Sequence, residues 1–272
     1  MQGDIIVEEK GPICWQEAGV GAPILFLHAM AGSRTAWVPQ FEYFTPHYRC
    51  IAWDMPGFGL SAALPDGAQM AEVTSSLKGF VTQTLGLTSA HFVGLSVGGM
   101  ILQHFAAEEP ELVRSLTIMD SSPKFGLGGD MSPEDFMQPI LSDLADGTSV
   151  RAFSDTMIKA ITGPSCSPQV IDAAIGAMAR AQLSGLVLTT QLIGNHDAMS
   201  ALGHIRAPTL VMVGADDADT PVSYAEEIAK TIKGAQLEII PDAGHLSNLE
   251  NPEAVNAVLA NFLAAQAGGM CR

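Results

Sequence analysis

The sequence predicts an α/β fold, a parallel sheet with helices packed on both faces. Three observations predict it. Short, continuously apolar runs rich in β-formers recur along the chain, as expected of strands buried on both faces. Between them lie longer stretches with apolar residues three and four apart, the helical period. The alternation stops between residues 121 and 206 and then resumes, so an insertion interrupts one continuous sheet.

Two β-like runs open the chain, Ile5 to Glu8 and Ile13 to Glu17, with Gly11-Pro12 between them as a hairpin turn. Pro23 to His28 and Arg49 to Asp54 are the first two buried strands; the second ends in the turn Met55-Pro56-Gly57-Phe58-Gly59. Met70, Val73, Leu77, Phe80, Val81 and Leu85 keep helical spacing, and Gly86 closes that helix. A strand His91 to Leu95, a helix Gly98 to Glu109 halted before Pro110, and a strand Ser115 to Asp120 follow. From Ser121 to Arg206 no run reads as a strand, and Ile171 to Leu183 reads as helix. Thr209 to Val213 (strand), Tyr224 to Ile232 (helix), Leu237 to Ile240 (strand) and Glu253 to Ala265 (helix) complete the pattern.

Composition excludes several classes. The chain has 272 residues, 47% hydrophobic and 15% charged, enough for a substantial core. Thirteen basic against 29 acidic residues give a net charge of −16, which would repel nucleic acid phosphates. No apolar run reaches the roughly 20 residues that span a bilayer, and the first ten residues do not read as a secretory signal. The four cysteines, Cys14, Cys50, Cys166 and Cys271, are scattered and read as reduced thiols. A soluble cytoplasmic protein is therefore expected, acting on a small molecule, with neither nucleic acid nor membrane as partner. No His/Cys/Asp cluster has ligand spacing, so neither metal nor cofactor is expected. A homo-oligomer is compatible with the sequence.

Gly94-Leu95-Ser96-Val97-Gly98 carries the chemistry. It fits Gly-x-Ser-x-Gly with a strand before it and a helix after, a sharp turn that lifts the serine above the carboxyl edge of the sheet. The bland alternative is a serine that merely caps the helix. A serine hydroxyl needs a base, and the base needs a third group to hold its tautomer. Asp217 follows the strand ending at Val213, and His245 follows the strand ending at Ile240. Carboxyl ends of parallel strands gather on one side, so the three loops can converge. Asp216 and Asp219 are rival acids, each expected to be a solvated loop carboxylate, and Asp120 is a third.

Five landmarks in order resemble the α/β-hydrolase superfamily over essentially the whole chain. They are His28-Ala-Met-Ala-Gly32, Asp54-x-x-Gly57-x-Gly59-x-Ser61, the Ser96 turn, Gly214-x-x-Asp217-x-x-Thr220-Pro221 and Gly244-His245. The resemblance implies a mostly parallel eight-stranded sheet with a helical cap: a core of residues 1–120 and 207–272, and a cap of residues 121–206. It also selects Asp217 over Asp216. By position in the His28 loop, it places the oxyanion donors at the backbone N–H groups of Met30 and Val97. His28-Ala29 departs from the family's usual His-Gly dipeptide.

The reaction expected is hydrolysis of a small carboxylic ester or lactone through an acyl-enzyme. Gly244 to Pro252 is similar to the corresponding stretch of 3-oxoadipate enol-lactonases. Carbon–carbon hydrolases of meta-cleavage pathways share the triad but carry a Trp after the histidine that is absent here. Two other classes stay open, a small-ligand receptor or regulator on the same fold and, less favoured, a serine peptidase. An aspartate nucleophile, the mark of dehalogenases and epoxide hydrolases, is replaced by Ser96.

In the insertion, His196 and Arg180 are candidate substrate-binding residues, and Lys124, Arg151 and Lys159 are further cations that could meet a carboxylate. Phe125, Phe136, Phe153 and Met157 are candidates for an apolar lining or for packing within the insertion. His28 reads as a structural loop residue and His104 as packed along its helix. His47 and His91 read as surface or strand-edge positions.

Overall fold

Eight strands form one sheet in the order β1-β2-β4-β3-β5-β6-β7-β8. They are β1 (Ile6–Lys10), β2 (Ile13–Ala18), β3 (Ala22–Leu27), β4 (Tyr48–Trp53), β5 (Ala90–Leu95), β6 (Val113–Met119), β7 (Thr209–Gly214) and β8 (Gln236–Ile240). The computed structural model describes residues 6–129 and 131–267; Ile5, at the start of the first expected strand, and Cys271 lie outside them. β1 pairs antiparallel with β2, and β2 with β4; every other neighbouring pair is parallel. The central strand β5, Ala-His-Phe-Val-Gly-Leu, is buried along its whole length because helices cover both faces. β8 is an edge strand, and its Ile239 is half exposed.

The helices are α1 (Val38–Phe44), α2 (Met70–Gly79), α3 (Val97–Glu108), α4 (Pro133–Ala145), α5 (Val150–Ile161), α6 (Pro168–Met178), α7 (Leu183–Gly194), α8 (Met199–Leu202), α9 (Val222–Thr231), α10 (Ser247–Glu250) and α11 (Pro252–Ala267). None among the described residues is long and apolar enough to cross a membrane. Two expectations need correction. The helix expected from Met70 to Leu85 ends at Gly79 and widens into a π-helical turn, where Leu85 N–H donates to Phe80 O at 2.9 Å. The run Ile171 to Leu183 belongs to two helices, because the chain breaks after Met178 and bridges Ala181 to Phe58. Helix α1, preceded by a 3₁₀ turn at Arg34–Trp37, was not expected from the periodicity.

Between β6 and β7 the described residues form five helices, α4 to α8, and no strand. Three of them start on the same device: Ser132, Ser149 and Ser167 accept the backbone N–H of the residue three further on, and Pro133 and Pro168 follow two of these caps. This segment meets the rest of the chain at Gly57, whose carbonyl accepts Gln182 N–H at 2.8 Å. Gly57 has φ +84, and a Cβ there would stand 2.6 Å from Gly185 Cα, so both backbone and space demand glycine.

Gly67 offers a control, with φ +79 but open space around its missing Cβ. Gly67→Ala should cost only the left-handed backbone penalty, about 1–2 kcal/mol. Gly57→Ala should add an overpacking cost of ~1–3 kcal/mol. Urea midpoints of the two purified variants would measure the difference, and equal losses would mean that the Gly57–Gly185 contact is not tight.

Candidate active site

Ser96 sits where β5 turns into α3, at φ 54 and ψ −120, a conformation that side-chain-bearing residues rarely adopt. Its neighbours make the turn possible. A Cβ on Gly94 would lie 2.6 Å from the Gly98 backbone, and one on Gly98 would collide with Leu27 O. Ser96 N–H donates to Met119 O at 2.9 Å, and Ser96 O accepts from Met100 N–H and the Ser121 hydroxyl at 2.9 Å each. The turn is thereby pinned from strand, helix and neighbouring loop. Ser96 is buried but opens into the cavity described below.

Three loops at the carboxyl ends of β5, β7 and β8 bring Ser96, Asp217 and His245 together. The His245 Nε2 and Ser96 Oγ stand 2.9 Å apart, and His245 Nδ1 lies 3.0 Å from Asp217 Oδ2. An ionised Asp217 accepts, so Nδ1 carries the proton, and in the neutral ring Nε2 is left to accept from the Ser96 hydroxyl. Asp217 is itself held: Oδ1 accepts Asp219 N–H and Thr220 N–H at 2.9 Å each, and Oδ2 accepts the Thr220 hydroxyl at 2.8 Å. Burial works to raise Asp217, but the charge of His245 and these hydrogen bonds outweigh it and keep its carboxyl below the ordinary value.

Of the rival acids, Asp216 is exposed on the loop. Asp120 is fully buried behind the histidine loop: Oδ1 accepts Gly214 N–H at 2.8 Å, and Oδ2 accepts the Ser247 hydroxyl at 2.6 Å and Ser247 N–H at 3.3 Å. Burial, then the charge of Asp217, push Asp120 up to about 8, against the opposing pull of His245 and of its own hydrogen bonds. Asp219 is solvated as expected, with its side chain 52% exposed, yet Oδ2 also lies 3.4 Å from His245 Nε2. Burial disfavours the His245 imidazolium, but Asp217, then Asp219, then the Asp217 hydrogen bond and Asp120 together raise it above its ordinary value.

Ser96 and His245 open into a cavity of about 340 Å³. Met30, Met100, Phe125, Phe136, Met157 and Ile193 give it an apolar wall, so three of the four apolar candidates in the insertion line it. Phe153 instead packs against the core. Met30 is buried on the cavity wall, and Val97 is the first residue of α3, where a backbone N–H has no acceptor within the helix.

The expected polar contacts from the insertion need correction. None of Lys124, Arg151, Lys159 and Arg180 lines the cavity. Lys159 pairs with Asp155 on the surface of α5, and the Arg180 carbonyl accepts Gly59 N–H. His196 is buried behind the cavity wall, where Nε2–H donates to Ser122 O at 3.0 Å and the ring stacks edge-on against His104 at 5.4 Å. Its side chain borders a separate small cavity with Gln69, Met70 and Asp197. Burial is the main reason its imidazole falls to about 4. His91 is likewise not at the surface: it is buried on β5, with Nδ1 2.7 Å from Ser115 Oγ, because the sheet continues on both sides of that strand. His47 is exposed.

His28 holds a loop, as its sequence position suggests. Nδ1–H donates to Ala29 O at 2.7 Å and Nε2 accepts Met55 N–H at 2.9 Å, tying the β3 loop to the β4 turn. Nearby, the buried pair Arg34–Asp54 and the Ser61 hydroxyl brace the same turn. Glu250 is a residue the motif reading missed. One oxygen accepts Gly163 N–H (2.8 Å) and Gly244 N–H (3.0 Å), and the other accepts Leu246 N–H (3.0 Å). It fastens the backbone on both sides of His245 to the end of α5. A glutamate five residues after the histidine was the signal available.

Residues 24–258 match the model of the alpha/beta hydrolase family. The chain is 26% identical to a 2-hydroxy-6-oxo-6-phenylhexa-2,4-dienoate hydrolase of Burkholderia cepacia, over 96% of this chain and 95% of that protein. Among solved structures it is similar to a thermophilic esterase from Thermogutta terrifontis, with a TM-score of 0.84 and 26% identity, covering 98% and 99% of the two chains. The enol-lactonase from Burkholderia xenovorans LB400 superimposes with a TM-score of 0.82 at 22% identity, covering 93% and 96%, a likeness of fold.

The buried carboxyl makes stability depend on pH. The folded chain holds the Asp120 proton up to about pH 8, whereas an unfolded carboxyl releases it near 3.8. The native state therefore binds more protons across that window, and stability falls as pH rises through it. The raised His245 adds to the same slope, since the stability it lends is lost as pH climbs through its folded value. Asp120→Asn removes the first contribution, so the fall of the urea midpoint between roughly pH 5 and 8 should flatten. An unchanged slope would mean that Asp120 is ionised in the folded protein.

Proposed function

This chain belongs to the alpha/beta hydrolase family, and from that premise we propose that it is a serine hydrolase of small carboxylic esters or lactones, with Ser96, His245 and Asp217 as its triad. The observation that carries the reading is the unbroken chain of contacts Asp217–His245–Ser96 at the base of an apolar cavity. Ser96 Oγ attacks the carbonyl while His245 Nε2 takes its proton, and the tetrahedral oxyanion is held by the backbone N–H groups of Met30 and Val97. His245 returns the proton to the leaving alkoxide, which departs and leaves an acyl-serine. Water then attacks the acyl carbonyl, giving its proton to His245, and the acid leaves as Ser96 regains its hydrogen. Asp217 stabilises the imidazolium in both halves.

Residues 121–206 act in this reading as a cap whose wall selects the substrate. Phe125, Phe136, Met157 and Ile193 supply that wall, and apolar walls discriminate by shape, at about 1–3 kcal/mol per methylene. A carbon–carbon hydrolase acting on a dienoate would have to hold a carboxylate, and none of the described residues lining the cavity is Lys or Arg. The ester and lactone reading fits the lining better.

Ser96→Ala should lower kcat on the best ester by about 10⁴-fold or more, with the far-ultraviolet circular dichroism unchanged. A fluorophosphonate should label Ser96 in the wild type, located by peptide mass spectrometry. Wild-type turnover in Ser96→Ala would defeat the proposal. Asp217→Asn should cost about 10⁴-fold, whereas Asp216→Asn, on an exposed loop carboxylate, should change kcat by less than about twofold. Equal losses in the two would move the third member of the triad away from Asp217.

A further inference from the structure

We infer that Asp219 is a charge filter at the Ser96 site, which favours substrates carrying a cationic group near the scissile carbonyl, accepts neutral ones and rejects carboxylates. The inference rests on the reading of Ser96 as nucleophile and adds the class of substrate that this nucleophile meets.

The geometry is specific. Asp219 Oδ2 lies 3.4 Å from His245 Nε2, the same nitrogen that faces Ser96 Oγ at 2.9 Å. Carboxylate and nucleophile therefore converge on one ring atom, and Asp219 lines the cavity beside Thr220 and Tyr224. Its backbone N–H is committed to Asp217 Oδ1, which holds the residue in place whatever its side chain does. The side chain is 52% exposed and faces whatever enters the cavity.

Beyond His245, the described lining brings no cation to Asp219. Among the described residues that line the cavity, Asp219 is the one carboxylate and none is Lys or Arg. His245 is the other titratable group at the base, and as the neutral base of the proposed triad it offers Asp219 no fixed cation. A substrate carboxylate would meet a like charge with no cation to pair with, in a chain whose net charge is −16. A quaternary or primary ammonium would meet a carboxylate inside an apolar wall bearing the rings of Phe125, Phe136 and Tyr224, surroundings that suit a soft cation.

Three p-nitrophenyl esters of matched chain length test this: butyrate (neutral), monosuccinate (anionic) and 4-(trimethylammonio)butanoate (cationic). The wild type should rank them cationic, neutral, anionic by kcat/KM. Asp219→Asn should raise the anionic-to-neutral ratio about tenfold and lower the cationic-to-neutral ratio by a similar factor. Asp219→Glu should keep the wild-type order, and added salt should compress the ratios of the wild type more than those of Asp219→Asn. Ratios unchanged within twofold in Asp219→Asn, or all three rates moving together, would overturn the filter and leave Asp219 a loop residue. Ser96→Ala, assayed in parallel, separates the two failures: turnover persisting in it would defeat the nucleophile itself, whereas its inactivity beside unchanged ratios would defeat the charge filter alone.

Discussion

The structure of the site depends on one backbone constraint, the positive φ at Ser96. A side-chain-bearing residue at φ 54 and ψ −120 stores about 1–3 kcal/mol, and it persists only where its surroundings leave no alternative. Here the surroundings are three glycines and a hydrogen bond. Gly94 and Gly98 let β5 and α3 close on each other, Gly99 clears Ser121, and Met119 O holds the Ser96 N–H from the adjacent strand. The same solution recurs next door, since Asp120 leaves β6 at φ 43. Two neighbouring strands therefore end in left-handed residues, one presenting a hydroxyl to the cavity and the other a carboxyl to the protein interior.

That second carboxyl explains how the loops keep register. Asp120 bonds Gly214, where the Asp217 loop begins, and Ser247, just past His245. One side chain thus ties the ends of β6 and β7 to the histidine loop. Glu250 does the complementary work from outside, joining Gly244 and Leu246 to Gly163. His245 N–H donates to Ile161 O at 3.1 Å, so the histidine loop is bonded directly to the segment between β6 and β7. Burying two ionised carboxylates, Asp217 and Asp120, against one imidazole would be costly, and burial keeps a proton on Asp120 to higher pH instead.

The sheet was legible because buried parallel strands are nearly uniform in composition, and β3, β4, β5, β6 and β7 each fall within two residues of an apolar run. Ser96, Asp217 and His245 were legible because each follows such a strand in a short loop, so their convergence needs only the sheet. The segment between β6 and β7 was legible only in part, since its helices are short and separated by Pro- and Gly-bearing turns with no strand between them to mark their limits. Its clearest signals were local ones, Ser132-Pro133 and Ser167-Pro168, which start α4 and α6 as cap and first residue. The cations of that segment were misleading for a physical reason: sequence shows that a lysine exists but not which side of a helix it occupies, and Lys159 lies on the solvent side.

Asp219 marks the limit of pattern reading more sharply. As a loop carboxylate it looks like Asp216, two strand-end acids that differ by three positions in the chain. The difference is one of direction. Asp217 turns inward so that Oδ2 reaches Nδ1, its Oδ1 draws in the N–H groups of Asp219 and Thr220, and that tight turn aims the Asp219 side chain at the other ring nitrogen. The carboxyl bonded to Nδ1 thereby also fixes where the neighbouring carboxylate stands relative to Nε2. In this loop, the proposed triad acid and the proposed charge filter are coupled by two hydrogen bonds to a single carboxylate oxygen.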